Sequence, residues 1–148
     1  MRHVFEMQVR IAASAERVFA WHEEPGALQK LIPPGEPVRV VEHTGGIHDG
    51  ARVVLRIGYF PFSVRWVAVH EGYIEGRQFK DRQHSGPMRF WLHTHTFEPD
   101  GEGACILRDH VEFQLPLSPV ADLALPLVLR KLEKTFSYRH RLTAAALS

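Results

Sequence analysis

Residues 88–98 read MRFWLHTHTFE. A run this rich in aromatic and β-branched side chains reads as one long β-strand. Side chains alternate along a strand, so Trp91, His93, His95 and Phe97 share one face, and Leu92, Thr94, Thr96 and Glu98 share the other. The set Thr94, Thr96 and Glu98 marks the second face as the outer one. A strand that turns Trp, two His and Phe inward is the wall of a cavity with polar fittings, not a plain apolar core.

The neighbouring segments alternate in the same way. In residues 62–74, Phe62, Val64, Trp66, Ala68 and His70 face inward against Arg65 and Glu71. In residues 77–84, Phe79, Asp81 and Gln83 oppose Lys80, Arg82 and His84. In residues 104–114, Leu107, Asp109, Val111 and Phe113 oppose Arg108, His110 and Glu112. The turns between these strands suggest a register. A two-residue turn at Glu75-Gly76 sets His70 opposite Asp81. A loop at Ser85-Gly86-Pro87 sets Asp81 opposite Trp91 and Phe79 opposite His93. A hairpin centred on Gly101 sets His93 opposite Asp109 and His95 opposite Leu107. Two His–Asp pairs, His70–Asp81 and His93–Asp109, then lie on one inner face, and a register slip would break them.

Further out, residues 4–11 form a first strand with Phe5, Met7, Val9 and Ile11 inward. Ser14 caps a helix carrying Val18, Phe19 and Trp21, with Glu16 in its first turn. Pro25 opens a second short helix with Leu28, Leu31 and Ile32 on its buried side, and Pro33-Pro34-Gly35 stops it. Residues 37–43 and 51–58 add two strands around glycine-rich turns. From about 120 to 147 the period becomes helical, with Leu125, Val128, Leu132 and Phe136 on one stripe and Arg130, Lys131, Lys134, Arg139 and Arg141 on the other side. Pro126 either kinks this helix or stands at its start. The expected architecture is α+β: a seven-stranded antiparallel sheet wrapped around a long C-terminal helix, with two short helices after strand one. Residues 1–148 are read as a single domain.

In this order the chain resembles the START-like, or SRPBCC, superfamily, the helix-grip fold of birch-pollen-allergen-type proteins. More narrowly, Val18-Phe19-Ala20-Trp21-His22, Leu31-Ile32-Pro33-Pro34, Asp49-Gly50-Ala51, Phe79-Lys80-Asp81 with Gly86-Pro87, Trp91 to Phe97, and Phe136-Ser137-Tyr138-Arg139-His140 resemble a bacterial subgroup of SRPBCC domains, some described as cyclase-like. The resemblance implies a cavity between sheet and helix. It implies no particular chemistry, because the superfamily includes binders, carriers, cyclases and hydrolases.

Composition narrows the classes. Lys plus Arg is 18 against 17 for Asp plus Glu, a balance that argues against nucleic-acid binding. The single cysteine, Cys105, falls in a strand and excludes an internal disulfide and a cysteine zinc site. No apolar run is long enough for membrane insertion, and the N-terminus alternates like a strand instead of carrying a signal-peptide core, so a cytoplasmic location is expected. Neither Ser63 nor Ser85 sits in a nucleophile-elbow sequence.

The expected partner is a small, largely hydrophobic molecule of lipid, isoprenoid or aromatic polyketide type. Its expected lining is Trp66, His70, Asp81, Trp91, His93, His95, Phe97 and Asp109. Trp21, Trp66 and Trp91 either stack on a flat ligand or fill core. The alternative is a polyketide cyclase- or dehydratase-like enzyme with His93, Asp109, His70 and Asp81 as acid–base candidates. An Asp that accepts from one imidazole nitrogen leaves the other to act as a base. The same pairs are also what a half-wet wall needs, since an unpaired buried polar group costs about 1–3 kcal/mol. A third reading is an interaction domain in which the cavity is incidental. His93 and His95 can both reach one ion, with Asp81 or Asp109 completing the set. However, Glu98 lies on the opposite face and a second His-bearing motif is missing, so no metal and no cofactor are expected.

Overall fold

The computed structural model describes residues 1–147. Seven strands form one antiparallel sheet: β1 His3–Ile11, β2 Val38–Thr44, β3 Arg52–Ile57, β4 Val64–Ile74, β5 Gln78–Ser85, β6 Phe90–Pro99 and β7 Cys105–Gln114. Helices α1 Ala15–Glu23 and α2 Ala27–Lys30 follow β1, and α3 Leu125–Leu147 follows a short 3-10 helix at Val120–Ala124. The strand order is β1-β7-β6-β5-β4-β3-β2. Strands β2 to β7 therefore meander across the sheet, and β1 completes it beside β7.

Local chemistry explains the element ends. Ser14 caps α1, its hydroxyl accepting from the Arg17 amide at 3.2 Å, and Glu16 in the first turn pairs with Arg77 at 2.8 Å. Pro126 stands in the first turn of α3, where a missing N–H costs nothing, so it starts the helix instead of kinking it.

The inner face of the sheet is covered unevenly. Near β6 and β7, α1 and the end of α3 close over Ile11, Phe19, Phe97, Cys105 and Leu107, all essentially dry. Further along β7, Val111 and Phe113 pack against Phe136 of α3. Over β3 and β4 the covering layer is thin: Val53, Trp66 and Ala68 form a small cluster that faces open space.

The inward parity expected for β1, β5, β6 and β7 is observed. On β4 it holds for Trp66, Ala68 and His70 but not for its beginning. Phe62 is 85% exposed and Val64 43%, because the strand starts only at Val64 and the preceding residues form a projecting turn. On α3, Phe136 and His140 are fully buried, whereas Leu132 is half-buried.

Two hairpins differ from the expected register. The Glu75-Gly76 turn forms, with the Arg77 amide donating to the Ile74 carbonyl at 2.9 Å, and His70 faces Asp81. In the next hairpin, however, Asp81 faces His93 and Phe79 faces His95. The Gln83 side chain substitutes for backbone pairing there. Its amide donates to the Met88 carbonyl at 2.8 Å and its oxygen accepts from the Met88 amide at 3.1 Å, which widens the loop. In the last hairpin the Asp100 amide donates to the Ala104 carbonyl at 2.9 Å, so the loop centres on Glu102 instead of Gly101. His95 therefore faces Asp109, and His93 faces Val111. Both slips are of two residues, which moves partners but keeps every side chain on its expected face.

Candidate functional site

A cavity of about 600 Å³ lies between the sheet and α3. Its apolar wall includes Leu28, Leu31, Val53, Leu55, Trp66 and Leu132. Trp66 and Trp91 meet edge to face in this wall, with ring centroids 5.2 Å apart. Its polar lining includes His22, His70, Asp81, His93, His95 and Arg139.

These polar residues form a closed array built on two carboxylates. Asp109 is buried behind the two histidines of β6. Its Oδ1 accepts from His93 Nε2 at 2.7 Å and from His95 Nδ1 at 3.1 Å, while its Oδ2 accepts from His140 Nε2 at 2.5 Å. Asp81 stands on the cavity side. Its Oδ2 lies 3.1 Å from His95 Nε2 and 3.5 Å from His93 Nδ1, and about a fifth of its side chain is exposed at 20%. Each imidazole of β6 thus lies between both carboxylates, and the two rings are 3.7 Å apart. Phe79 stacks on His95 at 4.0 Å and Phe136 stands edge-on to His93 at 5.1 Å, which fixes the ring planes.

The electrostatics follow from this geometry. Burial pushes the Asp109 carboxyl up, but the bonds from His140, His93 and His95 outweigh it and hold Asp109 well below the usual carboxylate range. Burial also opposes ionisation of Asp81, and His93, His95 and His70 again outweigh it. Burial presses the His95 pKa down, yet its bonds to Asp109 and Asp81 lift the net value above the ordinary one. For His93, burial and the neighbouring His95 prevail and its pKa falls. The array therefore favours the ionised form of both carboxylates and makes His95 more basic, and His93 less basic, than an ordinary imidazole. Arg139 of α3 supplies a cation near Asp109 and Asp81, with its Nε donating to the Leu31 carbonyl at 3.2 Å. His22 is driven down to about 4, chiefly by burial, and its Nδ1 donates to the Val18 carbonyl at 2.8 Å.

Of the residues expected to line the cavity, Trp66, His70, Asp81, Trp91, His93 and His95 do so. Phe97 and Asp109 do not. Phe97 packs into the dry core under Phe19, with rings 5.2 Å apart, because α1 covers that end of β6. Asp109 is screened from the cavity by the imidazoles it binds.

The His93–Asp109 bond forms diagonally across the ladder, although the residues are not direct partners. His70 is Asp81's direct partner, yet no hydrogen bond joins them among the described residues. His95 takes the carboxylate, and His70 Nδ1 is buried without a partner. Three site residues carried no assigned role in the sequence: His22, Arg139 and His140. His140 continues the stripe of Val128, Leu132 and Phe136 by one more turn, and that spacing was the available signal. Arg139, which the helical period sets on the basic side of α3, lines the cavity instead.

A curved antiparallel sheet, two short helices and a gripped C-terminal helix define the START-like, SRPBCC helix-grip fold. Residues 9–147 match the model of a domain of unknown function, DUF8410, and the chain belongs to that family. No curated protein matches it. Among solved structures, the Zhui aromatase/cyclase from Streptomyces sp. R1128 superposes with a TM-score of 0.76 at 15% identity, covering 99% of this chain and 94% of that one. Norcoclaurine synthase from Thalictrum flavum, in complex with dopamine and hydroxybenzaldehyde, gives 0.73 at 17% identity over 99% of this chain and 87% of that one. A START superfamily protein from Mycobacterium smegmatis gives 0.71 at 15%, over 98% and 97%. At these identities the likeness is one of fold. Among the described residues, no helix is long and apolar enough to cross a membrane.

Proposed function

We propose that the chain acts as one domain that binds a small, largely hydrophobic molecule of lipid, isoprenoid or aromatic polyketide type in the cavity between sheet and α3. The observation that carries this reading is the cavity's size and mixed lining. Its volume of about 600 Å³ suits a small organic ligand, and its aliphatic and tryptophan side chains share the wall with a grouped polar set at Asp81, His93 and His95. Buried polar groups of that kind orient a ligand, so the ligand's polar end lies against Arg139, Asp81 and His95. The aromatase/cyclase and norcoclaurine synthase neighbours support an aromatic ligand class on the same fold.

Native mass spectrometry of the purified protein tests this reading. A co-purified molecule of a few hundred daltons, lost on Trp66→Ala and Leu55→Asp, is the expected result. An empty protein that gains no thermal stability from fatty acids, isoprenoids or flat polyphenols would count against it.

One observation favours the enzymatic alternative. Neutral His93 donates from Nε2 to ionised Asp109, which leaves Nδ1 unprotonated at the cavity wall, 3.5 Å from Asp81. A ligand with an acidic C–H beside a carbonyl would meet a base at His93, and the Arg139 cation and the His95 imidazole for the enolate oxygen. A cyclase or dehydratase of this design would lose turnover on His93→Gln while keeping ligand affinity.

A further inference from the structure

The geometry points to a binding site for a divalent first-row transition metal ion, formed by Asp81 Oδ2, His93 Nδ1 and His95 Nε2 on the cavity wall. This inference does not depend on the hydrophobic-ligand reading.

It begins with the orientation of the two imidazole rings. An ionised carboxylate only accepts, so Asp109 draws N–H groups from His93 Nε2 and His95 Nδ1. Both tautomers are then set, and the remaining nitrogens, His93 Nδ1 and His95 Nε2, point at the second carboxylate, Asp81. They stand 3.5 Å and 3.1 Å from Asp81 Oδ2, so three donor atoms converge on one point of the wall.

A single metal ion answers both contacts. Ligands held about 2.1 Å from zinc in tetrahedral geometry stand about 3.4 Å from one another. Asp81 Oδ2 stands 3.1 Å and 3.5 Å from the two nitrogens, and no two of the three donor atoms are more than 4.8 Å apart. Two imidazoles and one carboxylate favour zinc, cobalt, iron or nickel over calcium or magnesium. Behind these ligands Asp109 binds the far nitrogen of both histidines and is itself held by His140. Carboxylate backing of this kind orients metal-bound histidines and raises their basicity. Three protein ligands leave at least one coordination position, and it faces the cavity.

Of the two carboxylates that could complete the set, Asp81 is the one that reaches the cavity-side nitrogens of both histidines, so the outward Glu98 is not needed as a ligand.

The test uses tag-free protein stripped with a chelator and titrated with Co2+, then with Zn2+. One equivalent of Co2+ should bind at micromolar concentration with visible d–d absorption, and Zn2+ should displace it. Asp81→Asn and His95→Gln should abolish the spectrum, and Asp109→Asn should weaken binding roughly 10–100-fold without changing stoichiometry. His110→Gln, on the outer face, is the control that should change nothing. Wild-type imidazole NMR covers the case of a misfolded variant: Zn2+ should shift His93 Nδ1 and His95 Nε2 among the ten histidines. Absence of stoichiometric uptake, or uptake and shifts indifferent to Asp81→Asn and confined to other histidines, overturns the site.

Discussion

The inner face of the sheet is closed over β7 and the end of β6 at Phe97 and open over β3 and β4, although the strands on both sides alternate in the same way. In the closed half, Phe97, Leu107 and Cys105 disappear beneath Phe19 and Val18 of α1. In the open half, Leu55, Trp66 and Ala68 have no helix seated directly on them and instead line the cavity. The difference lies in what covers the strands. Helix α1 sits on β6 and β7, and α3 runs close to β1. The polar array stands at the boundary between the two halves. There Asp81 keeps contact with the cavity while Asp109 is sealed in.

Truncations should separate the halves most sharply. Phe97→Ala is expected to cost about 3–5 kcal/mol in urea unfolding, because a close-packed site is left with a void. Leu55→Ala should cost about 1 kcal/mol, since its surroundings are already open, and should show instead in ligand affinity. Equal costs would break the distinction between core and cavity wall.

Acid should attack the boundary next. His22 titrates near 6.5 when unfolded and is held at about 4 in the fold, where His95, Asp109 and Arg139 are its charged neighbours. Between those values the unfolded chain binds the extra proton, so stability falls as pH drops from about 6.5 through 4. The loss attributable to His22 is about 3 kcal/mol, and His22→Gln should flatten that limb of the stability profile. His95, with its raised pKa, acts in the opposite sense: its contribution is complete below about 6.5 and fades as pH rises through the folded value.

A double-mutant cycle on metal-free protein sharpens the boundary further. His93→Phe and Asp109→Leu should depart from additivity by roughly 1–2 kcal/mol, since they share a buried 2.7 Å bond. Additive effects would mean that the array is not energetically connected. The smallest expected effect is on the outer face. Arg10→Ala breaks an exposed 2.7 Å pair with Asp100 and should change stability by less than about 0.5 kcal/mol.

The inward parity of β5, β6 and β7 was legible because charged and apolar residues alternate without a break. It survived two register errors because each slip was even. The slips themselves were not legible. A glutamine that stands in for backbone pairing at Met88 and a loop centred on Glu102 leave no mark in a hydrophobic pattern. Hence the His93–Asp109 contact was anticipated for the wrong ladder position, while the bond from His95 to Asp81 was not anticipated at all.

Strand count, helix order, the helix-grip architecture and the inward set Trp66, Asp81, Trp91, His93 and His95 follow from the sequence alone. Period, turn chemistry and caps are local properties, set within a few residues. Only the tertiary structure decided that Phe97 is core, that Asp109 lies behind the cavity wall, and that His22, Arg139 and His140 join the array. Those outcomes depend on where helices distant in sequence settle on the sheet. A helix docks by the summed burial of its whole face, and no single segment carries that information.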